Sequence, residues 1–208
     1  YNLESFDPAL VRSAIANYFL ARLAAEHVKV FLTGEGADEL YAGYAYLNQF
    51  DDPKELQQEL VEITTALHNT NLQRADRLSM AFGLEARVPF LDMQSVRLGF
   101  SLPSAGKLHN RKIQEKALLR RAYADDLPDE IVHRKKQKFS HGAGSSLIFE
   151  EQANESIKDA DFDFERKRLK GKWNFELRNK EALYYYNILH EFYKDEWILP
   201  NIGISRSL

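Results

Sequence analysis

Cysteine is absent from this 208-residue chain, and methionine and tryptophan occur only twice each. The lack of cysteine excludes disulfide bonds and thiolate metal sites, and it fits a reducing compartment, which we expect to be the cytoplasm. No run of 18 apolar residues occurs in the sequence, so we expect no membrane-spanning helix and no membrane partner. The net charge of −3 provides no general attraction to nucleic acid, and we expect no nucleic-acid partner either.

The sequence contains enough apolar residues, 44% of the chain, for a sizeable core. Apolar residues at helical spacing predict helices at residues 8–27, 37–49, 56–68, 72–82, 91–102, 112–124 and 173–194. Residues 101–106 and 139–146 are predicted to be loops, and residues 159–172 to be a charged surface segment. A short, nearly continuous apolar run at 28–32 predicts one buried parallel strand. The predicted fold class is therefore mainly α with one or few parallel strands.

An acidic turn, Thr33–Glu39, follows this strand directly. Gly34 and Gly36 allow unusual backbone angles and the close approach of a ligand. Three carboxylates lie within five residues of one another, those of Glu35, Asp38 and Glu39. Carboxylates that close repel one another, which favours a metal ion or another cation as their partner. The alternative is a polar strand-to-helix turn whose acids lie near a helix N-terminus.

Two further segments concentrate charged residues. Between residues 67 and 92, acids alternate with arginines in a pattern that predicts a buried ion network, with Arg74, Asp76, Glu85 and Asp92 among its members. Such a network either orients helices or serves a functional site. Residues 134–144 join a basic run to a glycine-rich stretch. This segment is either a solvated charge run or a phosphate clamp that carries a lysine to an acidic site.

Together these three segments resemble the synthetase domain of glutamine-dependent (B-type) asparagine synthetases. The matching strings are TGEGADELYAGY at 33–44, the stretch from LHNTNLQRADR to LEARVPFLD at 67–92, and RKKQKFSHGAG at 134–144. The resemblance implies the C-terminal portion of an α/β adenine-nucleotide hydrolase-like (PP-loop ATPase) domain. Residues 1–208 would form a single truncated domain, in which 1–146 match best and 147–208 are a C-terminal helical region.

The resemblance also implies an activity: ATP and aspartate form β-aspartyl-AMP and pyrophosphate with Mg²⁺, and ammonia from glutamine then gives asparagine. In this sequence Asp38 would be a magnesium ligand, Glu35 would accept a proton from the attacking ammonia, and Lys136 would stabilise the pyrophosphate or the tetrahedral intermediate. The residues that would bind the substrate or the adenylate are Thr33, Gly34, Gly36, Arg74 and Asp76.

Two elements of that family do not occur in this sequence, the ATP-binding S-G-G-x-D-S loop and the N-terminal glutaminase. We expect both as partners of this chain, with a second copy of the chain as a further partner, and we expect the chain alone to be inactive. The related β-lactam synthetases have a tyrosine at the position of Glu35, which favours an amide synthetase. The alternatives that stay open are an acyl-adenylating cyclase acting on a lactam or peptide, and a non-catalytic scaffold fragment.

Overall fold

A computed structural model describes residues 1–107, 115–136 and 146–206. Its helices are α1 (Pro8–Ala25), α2 (Ala37–Leu40), α3 (Pro53–Thr65), α4 (Asn71–Met80), α5 (Met93–Ser101), α6 (Ser104–Lys107), α7 (Ala117–Ala122), α8 (Asp129–Val132), α9 (Ser146–Ser156), α10 (Asp159–Trp173) and α11 (Lys180–Phe192). Its strands are β1 (Val30–Leu32) and β2 (Glu85–Arg87). Turns of 3-10 helix cover Ala45–Gln49, Ala66–Asn69, Pro89–Leu91 and Glu196–Asn201. None of the described helices is long and apolar enough to cross a membrane.

The two strands form a two-stranded sheet. The Glu85 N–H donates to the carbonyl oxygen of Lys29, and the Thr33 N–H donates to that of Arg87, each at 2.9 Å. Both strands advance in the same direction between these two bonds, so the pair is parallel. The predicted parallel strand is thus confirmed, although its partner β2 was not predicted, because three residues with charged ends carry no strand signal.

The predicted burial of β1 is wrong for this structure. Val30 is 39% exposed and Leu32 is 70% exposed, while only Phe31 between them is partly covered. A continuous apolar run is typical of a strand whose sheet is covered on both faces. Here β2 pairs with one edge of β1 and covers neither of its faces. In the part of the chain that the structure describes, the side chains of Val30 and Leu32 therefore stay open to solvent.

The chain divides into two compact units. Unit 1 contains Tyr1–Lys29, Asn69–Glu85 and the described residues 146–206. Its larger core surrounds α10 and α11, where the ring of Phe6 lies 5.3 Å from that of Phe175 and 5.4 Å from that of Tyr186. A smaller cluster packs α1 on α4, and it consists of Leu3, Leu10, Ala14 and Leu78. These clusters fix α4, which carries Arg74 and Asp76.

Unit 2 contains Val30–His68 and the described residues 86–107 and 115–136. Its core consists of Ala42, Leu47, Leu56, Leu60 and Ile63. The apolar stripe of α3 supplies three of these residues, as its 3,4-spacing predicts. This core lies beneath the segment that follows the acidic turn, so it anchors the turn from its C-terminal side.

Several helices differ from their predicted bounds. The predicted helix at 37–49 ends at Leu40, because Ala42 has a φ of +56° and the chain turns there. The predicted final helix at 173–194 begins only at Lys180, where Asn179 caps α11 by accepting from the Ala182 N–H at 2.9 Å. Trp173 instead ends α10, the helix that the charged segment at 159–172 forms, and Asn174 with a φ of +53° stops it. Residues 104–107, predicted in part as loop, form α6. The start of the predicted helix at 112–124, and all but the last residue of the predicted loop at 139–146, lie outside the described residues.

Candidate functional site

The turn after β1 depends on one of its two glycines for its shape. Gly36 has a φ of +93° and forms the N-cap of α2. A Cβ atom at this position would lie 2.5 Å from the Leu91 side chain, so both conformation and space require glycine. Apart from its two chain neighbours, no described residue has an atom within 4 Å of such a Cβ on Gly34, which leaves this side open to a ligand. Thr33 is half-buried and held by its backbone bond to Arg87.

Gly43 is a third glycine of this site, and the sequence reasoning did not single it out. Its N–H donates to the carbonyl oxygen of Asp38 at 2.8 Å, which folds the chain back over α2. A Cβ on Gly43 would overlap the Asp38 carboxylate and lie 2.7 Å from its Cγ. Glycine is therefore needed at this position to leave room for the acid.

The carboxylate of Asp38 lies between two lysines. Its Oδ1 is 3.0 Å from the Lys116 Nζ, and its Oδ2 is 2.7 Å from the Lys136 Nζ. Burial alone would raise the pKa of Asp38, but attraction to Lys116 and Lys136 outweighs it and holds the pKa below its usual range. The predicted site residues Asp38 and Lys136 thus meet in space although 98 positions separate them in sequence.

Lys116 is the residue of this cluster that the sequence analysis missed. It lies at the N-cap of α7, where a cation is unfavourable because the helix dipole presents positive charge there. The sequence offered no signal for this placement, because the predicted helix at 112–124 put Lys116 in its interior, whereas α7 begins at Ala117. We call Asp38, Lys116 and Lys136 the lysine–aspartate cluster.

The other two acids of the turn are placed differently. Glu35 is half-buried in the turn itself. Glu39 is only 2% exposed and accepts a hydrogen bond from the Tyr44 hydroxyl. Burial raises the pKa of Glu39 and, more strongly, that of Tyr44. The three carboxylates therefore do not converge on one point, and Glu39 belongs to the interior of unit 2.

Arg74 and Asp76 lie on α4 in unit 1, whereas the lysine–aspartate cluster belongs to unit 2. Arg74 is buried at 7% exposure. Asp76 is exposed and pairs with its neighbour Arg77 at 2.9 Å. The predicted buried ion network is wrong for Asp76, Glu85 and Asp92, all of which are exposed. Burying a carboxylate costs desolvation free energy that an ion pair often fails to offset, so these acids are more stable in contact with solvent.

The described residues contain no group of three or more histidines, aspartates or glutamates that could hold a metal ion by itself. Magnesium in nucleotide enzymes is commonly held by one or two carboxylates together with phosphate oxygens. Asp38 offers one such carboxylate, with lysines beside it that suit phosphate. The site thus fits a metal that arrives with a phosphate ligand better than one held by protein alone.

Comparison with known proteins assigns the chain to a family. It matches the family model described as asparagine synthase over residues 2–51 and 47–197. The chain belongs to the asparagine synthase family. Relatives include the "Probable asparagine synthetase [glutamine-hydrolyzing]" of Schizosaccharomyces pombe, 32% identical over 205 residues, and "Asparagine synthetase B [glutamine-hydrolyzing]" of Escherichia coli, 33% identical over 196 residues. A third, from Brassica oleracea, is 35% identical over 208 residues.

Each of these matches covers 93% of this chain but only 34–36% of the relative. The chain therefore spans about a third of the length of the asparagine synthetases that it resembles. The resemblance predicted from the three motifs is confirmed. The mainly helical fold with parallel strands agrees with part of an asparagine synthase domain.

Proposed function

We propose that this chain forms part of the synthetase site of a glutamine-dependent asparagine synthetase, a ligase that makes asparagine from aspartate. The observation that carries the proposal is the lysine–aspartate cluster, whose Asp38 lies in the first of the three matching strings, on the segment that follows β1. When a phosphate ligand binds together with a metal ion, the two ammonium groups can exchange the carboxylate for phosphate oxygens, and the carboxylate can exchange an ammonium group for the metal ion.

The first step of the proposed reaction joins a β-carboxylate oxygen of aspartate to the α-phosphorus of ATP and breaks the α–β phosphoanhydride bond. Pyrophosphate leaves with its negative charge, and β-aspartyl-AMP remains. Lys116 and Lys136 would neutralise that leaving charge, since both ammonium groups already lie within 3.0 Å of one anionic group. Magnesium, when bound, would neutralise further phosphate charge, and Asp38 would be its protein ligand.

In the second step, ammonia attacks the β-carbonyl carbon and AMP leaves. The nitrogen must lose a proton as the amide forms, and Glu35 would accept it. Glu35 is half-buried on a turn whose glycine Gly34 is open to a ligand, so a reacting group can approach it. Thr33 and the backbone of Gly36 would line the same adenylate.

The remaining parts of the reaction would come from segments outside this sequence. It contains no S-G-G-x-D-S string for binding ATP and no glutaminase. We propose that such segments act as partners of this chain, supplying the nucleotide loop and ammonia released from glutamine. On this basis the 208 residues alone hold part of the site and do not make asparagine.

A chimera tests this proposal. The chain would replace the matching third of the E. coli asparagine synthetase B, and AMP, pyrophosphate and asparagine would be measured with aspartate, ATP, Mg²⁺ and ammonia. Retained glutamine hydrolysis and a cooperative melt would show that the chimera is folded. We expect the chimera to release AMP in the presence of aspartate, and we expect Asp38→Asn to lower this rate by about 100-fold. The matched control is Glu55→Gln, which changes an exposed acid on α3 and should leave the rate unchanged.

Glu35→Gln separates the two steps. We expect it to slow asparagine formation by about 100-fold or more while pyrophosphate release persists, since only the second step needs the proton acceptor. Full activity of Asp38→Asn would overturn the proposal in favour of a scaffold. Release of AMP by the folded chimera only with other carboxylic acids would overturn it in favour of an acyl-adenylating cyclase.

A further inference from the structure

Arg120 on α7 connects the two chain segments that carry the lysines of the cluster. Its Nε donates to the carbonyl oxygen of Glu115 at 2.8 Å, and its Nη1 donates to that of Val132. Glu115 immediately precedes Lys116, and Val132 ends α8, four residues before Lys136. A guanidinium group is suited to this task because its donors form a rigid, planar fork.

The first of these segments holds Lys116 in a rare conformation. Lys116 has a φ of +56° and a ψ of +38°, which lie in the left-handed region that is unfavourable for a non-glycine residue. The bonds around it oppose this cost: its own N–H donates to the carbonyl of Ala42 at 3.4 Å, and its carbonyl accepts from the Arg120 N–H at 3.0 Å. With Arg120 also holding the preceding carbonyl, the peptide units on both sides of Lys116 are fixed.

The second segment is short. Four residues span at most about 14 Å, so anchoring Val132 keeps the backbone of Lys136 within that distance of α8. The ammonium group of Lys136 lies 2.7 Å from Asp38. The side chains of Lys116 and Lys136 are 27% exposed or less.

We infer that Arg120 is a positioning residue that brings the ammonium groups of Lys116 and Lys136 onto one anionic group. It touches neither Asp38 nor, in the proposed reaction, the phosphates, and it acts through two backbone carbonyls. The role in pyrophosphate binding rests on the proposed function, whereas the placement of the lysines does not. The two parts can therefore be tested separately.

The test compares Arg120→Met with Arg121→Met in the 208-residue chain. Arg121 is the exposed neighbour on the same helix, so its replacement removes the same charge. The first measurement is the rate at which Lys116 and Lys136 are acetylated under native conditions, relative to the exposed Lys54, with each site quantified by mass spectrometry. The second is the affinity for inorganic pyrophosphate with Mg²⁺, measured by calorimetry.

In Arg120→Met we expect both lysines to react several-fold faster and pyrophosphate to bind about tenfold more weakly, the effect of losing a charge-assisted hydrogen bond. Arg121→Met should leave both measurements unchanged. Arg120→Lys keeps the positive charge but not the planar set of donors, so its acetylation rates and its pyrophosphate affinity should lie between those of the wild type and Arg120→Met. If Arg120→Met does not fold, Arg120→Lys takes its place in the comparison.

Equal acetylation rates in the Arg120 and Arg121 variants would overturn the inference, even if Arg120→Met melts at a lower temperature, because a merely structural role lowers stability without freeing the lysines. Failure of the wild-type chain to bind pyrophosphate would count against the proposed function instead. The acetylation rates would in that case still decide the role of Arg120.

Discussion

The glycines around Asp38 have different roles, although the motif presents them alike. Gly36 is required by its left-handed backbone and by the Leu91 side chain, and Gly43 by the Asp38 carboxylate. At Gly34 the described residues leave open space where a side chain would be. Gly36 and Gly43 therefore maintain the folded turn, while the open space beside Gly34 can accept a ligand.

Gly43→Ala should destabilise the chain by about 2 kcal/mol, because the new methyl group must displace the Asp38 side chain or its backbone. Gly34→Ala is the matched control in the same turn, and it should change the free energy of unfolding by less than about 0.5 kcal/mol. Urea denaturation of both variants makes the comparison. Equal stability of the two would contradict the assigned role of Gly43.

Lys107, at the end of α6, has a charge with little to stabilise it. It is 0% exposed, and among the described residues its Nζ makes no hydrogen bond. The Nζ lies 5.7 Å from the centre of the Phe100 ring, an attraction that only partly replaces water. Burial lowers the pKa of Lys107 to about 8.

Lys107→Met should therefore stabilise the chain, by about 2 kcal/mol at pH 7. An unfolded lysine titrates near 10.4, so between pH 8 and about 10.4 the unfolded state binds more protons and wild-type stability rises with pH. The gain from the substitution should thus shrink at pH 9.5. Urea denaturation at both pH values, with exposed Lys54→Met as control, checks this, and a gain independent of pH would refute it.

At the scale of elements, the sequence predicted the features that depend on neighbouring residues, such as the start of a helix. Asp7 and Pro8 begin α1 as expected, with the Asp7 carboxylate accepting from the Leu10 N–H at 3.1 Å. The end of α2 and the exposure of β1 were not predictable in this way. The first depends on the left-handed Ala42 and on the turn at Gly43, which no apolar spacing marks, and the second depends on what covers the strand. Lys116 was missed because its partner Asp38 is distant in the sequence.

Glu196 joins three elements of unit 1. From the 3-10 turn that it begins, its carboxylate accepts from Lys172 at 2.8 Å and from the Trp173 Nε1 at 3.0 Å, both on α10, and from the Tyr186 hydroxyl on α11 at 2.9 Å. Arg168 adds an ion pair. Burial alone would raise the pKa of Glu196, but these donors hold it below its usual range.

Glu196→Gln should lower the free energy of unfolding by about 1 kcal/mol at pH 7, a modest figure because solvent screens part of the site. Since the folded pKa is depressed, the wild-type advantage is present above the unfolded pKa near 4.3 and declines as the pH falls below it. Denaturation at pH 7 and pH 3 measures this. The control is Glu176→Gln, which changes a surface acid whose side chain is 61% exposed, and it should hardly change the free energy of unfolding. Equal losses of stability in the two variants would refute the account.

At the scale of the whole molecule, the chain spans about a third of the asparagine synthetases that it matches. Motif identity could predict the family from the sequence, because the three matching strings together are specific. Which side chains meet could not be predicted, because Asp38, Lys116 and Lys136 come from three separate segments of unit 2. In the proposed reaction this chain contributes the charge around the leaving phosphate and Glu35 as the proton acceptor.

The 208-residue chain alone should release no AMP from ATP and aspartate, because it has no S-G-G-x-D-S loop to hold the nucleotide. A coupled assay for AMP checks this, with the E. coli asparagine synthetase B as positive control under the same conditions. Release of AMP at a rate comparable to that control would show that the chain needs no nucleotide loop from a partner.

The most direct test of the site is a calorimetric titration of inorganic pyrophosphate, with Mg²⁺, into the 208-residue chain. We predict that the wild type binds and that Lys116→Met and Lys136→Met each weaken binding by about tenfold or more, since each removes a charge-assisted contact. Lys135→Met, the exposed neighbour of Lys136, should bind as the wild type does. Equal affinity in all four proteins, or no binding in any, would contradict the assignment of the lysine–aspartate cluster as a pyrophosphate site.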